Sequence, residues 1–206
     1  MPVTLYHHPY SRAASVIWML EELSIDYGLR FVDTMKGAQK APEILALNPM
    51  GKLPILTDGE VVVTESAAIG LYLADRYSLG KLAPAPDDPA RGPYLRWSFF
   101  APSVIEPGML AKSSGWQFKP SQAGWGTYES MIAAMQGAIA DRSYILGDRF
   151  SMADVIFGGT IRYMLRFKLL ETTPSFAAYA ERLAARPAAQ RADARNAEIV
   201  KEHGLG

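Results

Sequence analysis

NPMGKLPILTDGEVVVTES, residues 48–66, decides the fold. Asn48, Pro49 and Gly51 are turn residues. Leu53 to Thr57 is a β-favouring run interrupted by Pro54, and Asp58-Gly59 is a strong hairpin signal before the second run, Val61 to Val63. Thr64-Glu65-Ser66 then leads into an apolar helix, AAIGLYLADRY. Pro54 is out of place in a ladder because it lacks a donor, so it belongs at a strand start, an edge or a bulge. Spacing alone favours a trans Leu53–Pro54 bond, since only about 5–6% of X–Pro bonds in folded proteins are cis.

Working outward, Val3 to Tyr6 alternates as a first strand, and His7-His8-Pro9-Tyr10 is a loop. Ser11 suits the cap or first turn of a helix carrying Ala13, Val16, Ile17, Leu20 and Leu23 at helical spacing. Tyr27 to Val32 is a second strand, Met35 to Lys40 a polar loop, and Pro42 to Leu47 a short helix. The order βαβαββα implies a parallel start and an antiparallel hairpin, a mixed four-stranded sheet. This α/β domain is expected over residues 1–78. Residues 79–89 hold Gly80, Pro84, Pro86 and Pro89 and read as a linker, and residues 90–206 as an all-α domain. Helices are expected over Arg91 to Lys112, bent at Pro102 and Pro107, and over Gln122 to Arg142, Val155 to Lys168, Phe176 to Arg186 and Ala188 to Lys201. Ser151 with Asp154 three residues later reads as a capping box.

Composition excludes several classes. With 21 basic and 21 acidic residues the chain has no charge excess that would favour nucleic acid, and no apolar run is long enough to span a bilayer. Met1-Pro2 leads straight into VTLY without a signal-like segment, so a cytoplasmic location is expected. There is no cysteine, which removes disulfides and a protein thiol nucleophile, so any thiol must arrive with a substrate. His7 and His8 are adjacent at a strand end, where neighbouring side chains face opposite ways, and His203 lies in the tail. No metal site is expected.

Together, NPMGKLPIL, TESAAIGLYLADRY and the GDRFSMADV turn resemble the cytosolic glutathione transferases over nearly the whole chain. The resemblance implies a thioredoxin-like N-terminal domain, a helical C-terminal domain, a cis Pro54, a homodimer, and glutathione as co-substrate without a metal. Glu65 and Ser66 would then hold the γ-glutamyl end of glutathione, the carboxylate at a helix N-terminus and the ammonium on Glu65. Leu53, beside Pro54, would pair its backbone with the cysteinyl unit. Lys52, Lys40 and Lys36 are candidates for the glycyl carboxylate.

A thiol near its reference pKa of about 8.5 is mostly protonated at neutral pH. Ser11, two residues after Pro9, is similar to the catalytic serine of the serine-type classes and would stabilise the thiolate, with Arg12 adding positive potential. Tyr6 and Tyr10 are the alternatives, although the register of Tyr6 against Pro9 is off by one from the tyrosine-type classes. The cysteine of the beta class and the Ser-Ser-Cys of the maleylacetoacetate isomerase class are both absent, which counts against that isomerisation. The electrophile pocket is expected from Tyr10 and from the greasy first helix of the second domain, where Phe100, Ile105, Met109 and Trp116 stand with Trp97 and Phe99. The function expected is detoxifying addition of glutathione to a hydrophobic small molecule. Glutathione-dependent peroxide or disulfide reduction, and a non-catalytic binding or interaction protein on the same scaffold, are the alternatives.

Overall fold

A computed structural model describes residues 3–205, so Met1-Pro2 lies outside the described residues. The strands are β1 (Val3–His7), β2 (Tyr27–Phe31), β3 (Ile55–Asp58) and β4 (Val61–Thr64), in the order β2-β1-β3-β4. β1 runs parallel to β2 and antiparallel to β3, and β3 pairs antiparallel with β4 around Asp58-Gly59. The helices of this part are α1 (Ala13–Leu23), α2 (Pro42–Leu47) and α3 (Ser66–Ser78). The central strand is covered on both faces, which is why Val3, Leu5 and Tyr6 are all buried. Tyr6 packs with Val32, Ile44 of α2 and Ile55, while on the other face Leu5 has no exposure. Burying a side chain such as Leu5 contributes about 1.5–3 kcal/mol.

α1 buries Ala13, Val16, Ile17 and Leu20, the spacing visible in the sequence. Its partner is a helix from the far end of the chain, α9 (Pro187–Glu202), which supplies Ala188, Ala189, Ala192 and Ile199. Ion pairs edge this contact: Arg186 makes a two-pronged bond to Glu22 at 2.6 and 2.7 Å, and Arg191 meets Glu21 at 2.7 Å. Asp58, at the hairpin turn, accepts from the hydroxyls of Tyr72 (2.9 Å) and Tyr77 (2.7 Å) and from Arg76 Nε at 2.9 Å, tying the hairpin to α3.

By packing, the chain forms two units, one of residues 1–77 with 186–206 and one of residues 78–185. The last helix, counted with the helical domain in the sequence reading, therefore belongs to the unit that holds the sheet. The segment read as a linker is stitched into the second unit. Met152 N–H donates to the Leu82 carbonyl at 2.9 Å, and Arg149 reaches the Gly80 carbonyl at 3.1 Å and the Asp88 carboxylate at 2.7 Å.

The second unit contains α4 (Arg91–Phe100), α5 (Glu106–Ser113), α6 (Tyr128–Ile139), α7 (Gly159–Arg166) and α8 (Pro174–Ala184). Between α4 and α5, Ala101–Ile105 forms a wide π turn around Pro102. α6 starts later than the periodicity suggests, because Gly126 takes a left-handed φ of 67° and Thr127 with Ser130 forms a reciprocal capping box. The Ser151 turn differs from the expected box. Asp154 does accept the Ser151 N–H at 2.9 Å, but the Ser151 hydroxyl donates to the same carboxylate (3.2 Å) instead of accepting from the backbone. Asp154 also accepts from Ile145 N–H and the Tyr179 hydroxyl, each at 2.7 Å. Burial pushes its carboxyl above the usual carboxylate range despite these donors. Among the described residues, no helix is long and apolar enough to cross a membrane.

Candidate functional site

Three loops meet at one end of the sheet, as the strand registers require. Tyr6 pairs with Ile55, and Ile55 pairs with Thr64. Because β3 is antiparallel to both neighbours, β1 and β4 leave the sheet where β3 enters it. The 7–11 loop, the 48–54 loop and the Glu65-Ser66 helix start therefore share this end. α1 and α3 both begin here, bringing the positive poles of two helix dipoles to the same rim.

Each loop is built by its own contacts. Asn48, 5% exposed, closes the 48–53 turn by donating from Nδ2 to the Lys52 carbonyl (3.0 Å) and accepting from Met50 N–H (3.1 Å). Lys40 Nζ donates to the Met50 carbonyl at 2.9 Å, and its side chain crosses Gly51 so closely that a Cβ there would lie 2.8 Å from Cδ and Nζ. At φ +58° as well, Gly51 suits only glycine. The Leu53–Pro54 peptide bond is cis, and the ladder begins at Ile55, leaving Leu53 outside it. Lys52 is exposed, and Lys36 is turned to Asp33 at 3.2 Å with its side chain in solvent.

Glu65 holds a left-handed backbone at φ 67°, a conformation that costs a residue with a Cβ roughly 1–2 kcal/mol. Its carbonyl accepts the first helical bond, from Ile69 N–H at 2.9 Å. Its side chain is exposed, and Ser66 beside it is half-buried at the first position of α3. Strain of this kind persists at ligand sites, where the surroundings hold it in place. Nothing local in the sequence signals it.

The end of β1 and the 7–11 loop carry the three hydroxyls singled out above, in three different settings. Ser11 is half-buried just before α1; its hydroxyl donates to the His8 carbonyl at 2.8 Å and accepts from Ala13 N–H at 3.1 Å. Tyr6 stands in the packed cluster with Ile44 and Ile55, and its hydroxyl accepts from Arg30 at 3.5 Å. Tyr10 is 44% exposed and donates to the Leu205 carbonyl at 2.8 Å. His7 bonds Asn196 of α9 through Nε2 at 2.9 Å, and burial is the main cause that pulls its pKa down to about 4. His203 stacks on Phe31 with centroids 3.6 Å apart. Among the described residues no three histidine or acidic side chains could hold a metal ion.

In the second unit, the side chains expected to line a pocket divide by exposure. Ile105 (0% exposed) and Met109 (7%) are interior, because the π turn and the start of α5 rotate them inward. Phe100 is half-buried against Trp97 and Phe157, whereas Trp116 and Phe99 are each 53% exposed.

Residues 1–75 match the glutathione S-transferase N-terminal domain and residues 119–203 the C-terminal domain. Glutathione S-transferase 2 of Schizosaccharomyces pombe is 32% identical over 167 residues, spanning 75% of this chain and 72% of that protein. Glutathione S-transferase GstA of Escherichia coli is 28% identical over 203 residues, 96% of this chain and 99% of that protein. A glutathione transferase of Phanerochaete chrysosporium, solved with oxidized glutathione, superposes with a TM-score of 0.79 at 27% identity, covering 96% of this chain and 97% of that one. The theta class enzyme of Xanthomonas axonopodis pv. citri, solved with glutathione bound, gives 0.75 at 29%, covering 93% and 97%.

Proposed function

The chain belongs to the glutathione S-transferase family, and from that premise we propose that it binds glutathione at the shared end of the sheet and transfers its thiolate to a hydrophobic electrophile. The single observation that carries this reading is the convergence of the 7–11, 48–54 and 65–66 loops at that end. The parts of the tripeptide divide among these loops and the 36–40 segment. Ser66 and the first N–H groups of α3 receive the γ-glutamyl carboxylate, and the exposed Glu65 carboxylate takes the ammonium. The backbone of Leu53 pairs with the cysteinyl unit as a one-residue strand. Lys40 and Lys52 face the glycyl carboxylate, with Lys36 a more distant and solvated third. Neighbours solved with glutathione bound support glutathione as the ligand.

The thiol is activated by stabilising its anion, with no base required. Lowering its pKa by about two units takes roughly 2.7 kcal/mol of preference for the thiolate. A hydrogen bond to a charged partner supplies about 1.5–3 kcal/mol, but the Ser11 hydroxyl must first leave the His8 carbonyl, which costs about 1 kcal/mol. Ser11 therefore contributes about one pKa unit, and the N-terminal pole of α1 supplies the rest. Tyr10 and Tyr6 are weaker donors here: one hydroxyl is given to Leu205 and the other lies in a packed cluster. The electrophile meets Tyr10, which keeps free surface beside Ser11. Reaction forms one bond from glutathione sulfur to the electrophile as a leaving group departs or an activated double bond is saturated. A cytoplasmic homodimer completes the reading, which sedimentation would check.

Titration calorimetry with glutathione tests binding, and absence of heat at millimolar ligand would refute the assignment. A difference ultraviolet spectrum of the complex across pH then locates the thiol pKa, which should lie at least one unit below that of free glutathione.

A further inference from the structure

His8 has no exposed surface, and one of its ring nitrogens has no use for its proton. Nδ1 accepts the Tyr10 N–H at 3.2 Å, so the neutral ring carries its hydrogen on Nε2. Among the described residues that buried Nε2 has no hydrogen-bond partner. A buried, unpaired donor is destabilising, and an apolar side chain of similar size would avoid that cost. Such a side chain could not accept from Tyr10. The main chain of the same residue holds Ser11, because the His8 carbonyl accepts both the Ser11 N–H (3.0 Å) and its hydroxyl (2.8 Å). Phe31 and Tyr10 wall the ring at centroid distances of 5.5 and 5.7 Å.

We propose that His8 is a positioning residue for the thiolate donor: its neutral ring grips Tyr10, and the turn so closed sets the direction of the Ser11 hydroxyl. This rests on the reading of Ser11 given above. The grip is released by acid, because the second ring proton can enter only at Nδ1, where it would oppose the Tyr10 N–H. Burial opposes that protonation and holds the ring below the usual histidine range. Asp33 favours it, but its carboxylate is occupied by the Met35 and Lys36 N–H groups and the Lys36 ammonium. His203 opposes it from the chain end, His7 couples to it from the neighbouring position, and Arg195 acts on His7. The turn is thus steady at neutral pH and loosens on the acid side.

The test compares the natural chain with His8→Leu, His8→Asn and Ser11→Ala. Long-range proton–nitrogen NMR should find the His8 ring protonated at Nε2 near pH 7.5, and the Tyr10 amide resonance should move with one titration below pH 6.5. His8→Leu should lower kcat about tenfold and raise the bound thiol pKa by about one unit, with KM for glutathione within about twofold. His8→Asn, whose Oδ1 can accept from Tyr10, should recover most of both and abolish the amide titration. A ring protonated at Nδ1, a Tyr10 amide that does not titrate, or a folded His8→Leu with natural kcat and thiol pKa would each overturn the proposal. The two ring measurements decide it even if His8→Leu does not fold. If Ser11→Ala leaves the thiol pKa unchanged, the Ser11 assignment fails; if Ser11→Ala moves it and His8→Leu does not, only the role of His8 fails.

Discussion

Ser11 and Ser151 each precede a helical segment, and they are held in opposite ways. Ser151 is fully buried, and its hydroxyl and N–H both go to Asp154, a carboxylate that also takes bonds from Ile145 and Tyr179. Ser11 is half-buried, and its hydroxyl goes to a backbone carbonyl. A bond to a carboxylate is about twice as strong as a neutral one and, inside a closed network, cannot be redirected without stranding its partners. A bond to a single carbonyl can be exchanged for a better acceptor. A serine at a helix start thus serves structure or chemistry according to what its proton touches.

The comparison breaks most visibly at the acid. Asp154→Ala should strand buried donors at 145, 151 and 179 and destabilise the second unit by about 3–5 kcal/mol, read by urea unfolding. A loss below 1 kcal/mol would mean that the network is not holding the turn. Next comes pH, which acts on the first unit through His7. Its ring is neutral when folded, with a pKa of about 4 against 6.5 unfolded, so the stability it contributes is complete above pH 6.5 and is lost as pH falls through 4. That difference of 2.5 units corresponds to about 3 kcal/mol, of which about 2 should be gone by pH 5. Unfolding curves at pH 7 and pH 5 check it, and His7→Gln should flatten the dependence.

Ser11→Ala should lower turnover about 10–100-fold while changing stability by about 1 kcal/mol, since it removes the proposed thiolate donor and one bond at the start of α1. Turnover assays beside thermal melts separate the two effects, and a variant that loses stability but not rate would make Ser11 a second Ser151. The smallest effect is expected from Ser151→Ala, about 1 kcal/mol of stability with turnover untouched, because Asp154 keeps its other donors.

Much of this was legible in the sequence. The order βαβαββα followed from alternation and from Asp58-Gly59, and the cis Leu53–Pro54 bond followed from family resemblance, where spacing favoured trans. Boundaries failed where a cap competes with periodicity: apolar spacing carried α6 back to Gln122, but Gly126 and the Thr127–Ser130 box start it at Tyr128. The partner of α9 was hidden because its buried face is mostly alanine, which packs on anything flat. At the candidate site the residue types were readable and their states were not. Ser11, two residues after Pro9, says nothing of where its proton goes, Glu65 gives no hint of a left-handed backbone, and the spacing of Ile105 and Met109 does not tell how deeply they are buried. Those depend on backbone geometry that residue types alone leave open.

The placement of α9 bears on how the protein is made. Synthesis delivers residues 1–77 first, yet the face of α1 stays uncovered until Arg186–Gly206 has left the ribosome. At roughly 5–20 residues per second, the intervening segment from Ser78 to Ala185 takes on the order of ten seconds. For that interval the first unit has one face of α1 open to chaperones and to other nascent chains. The last unit begun is the first that can close, and the unit begun first closes after it.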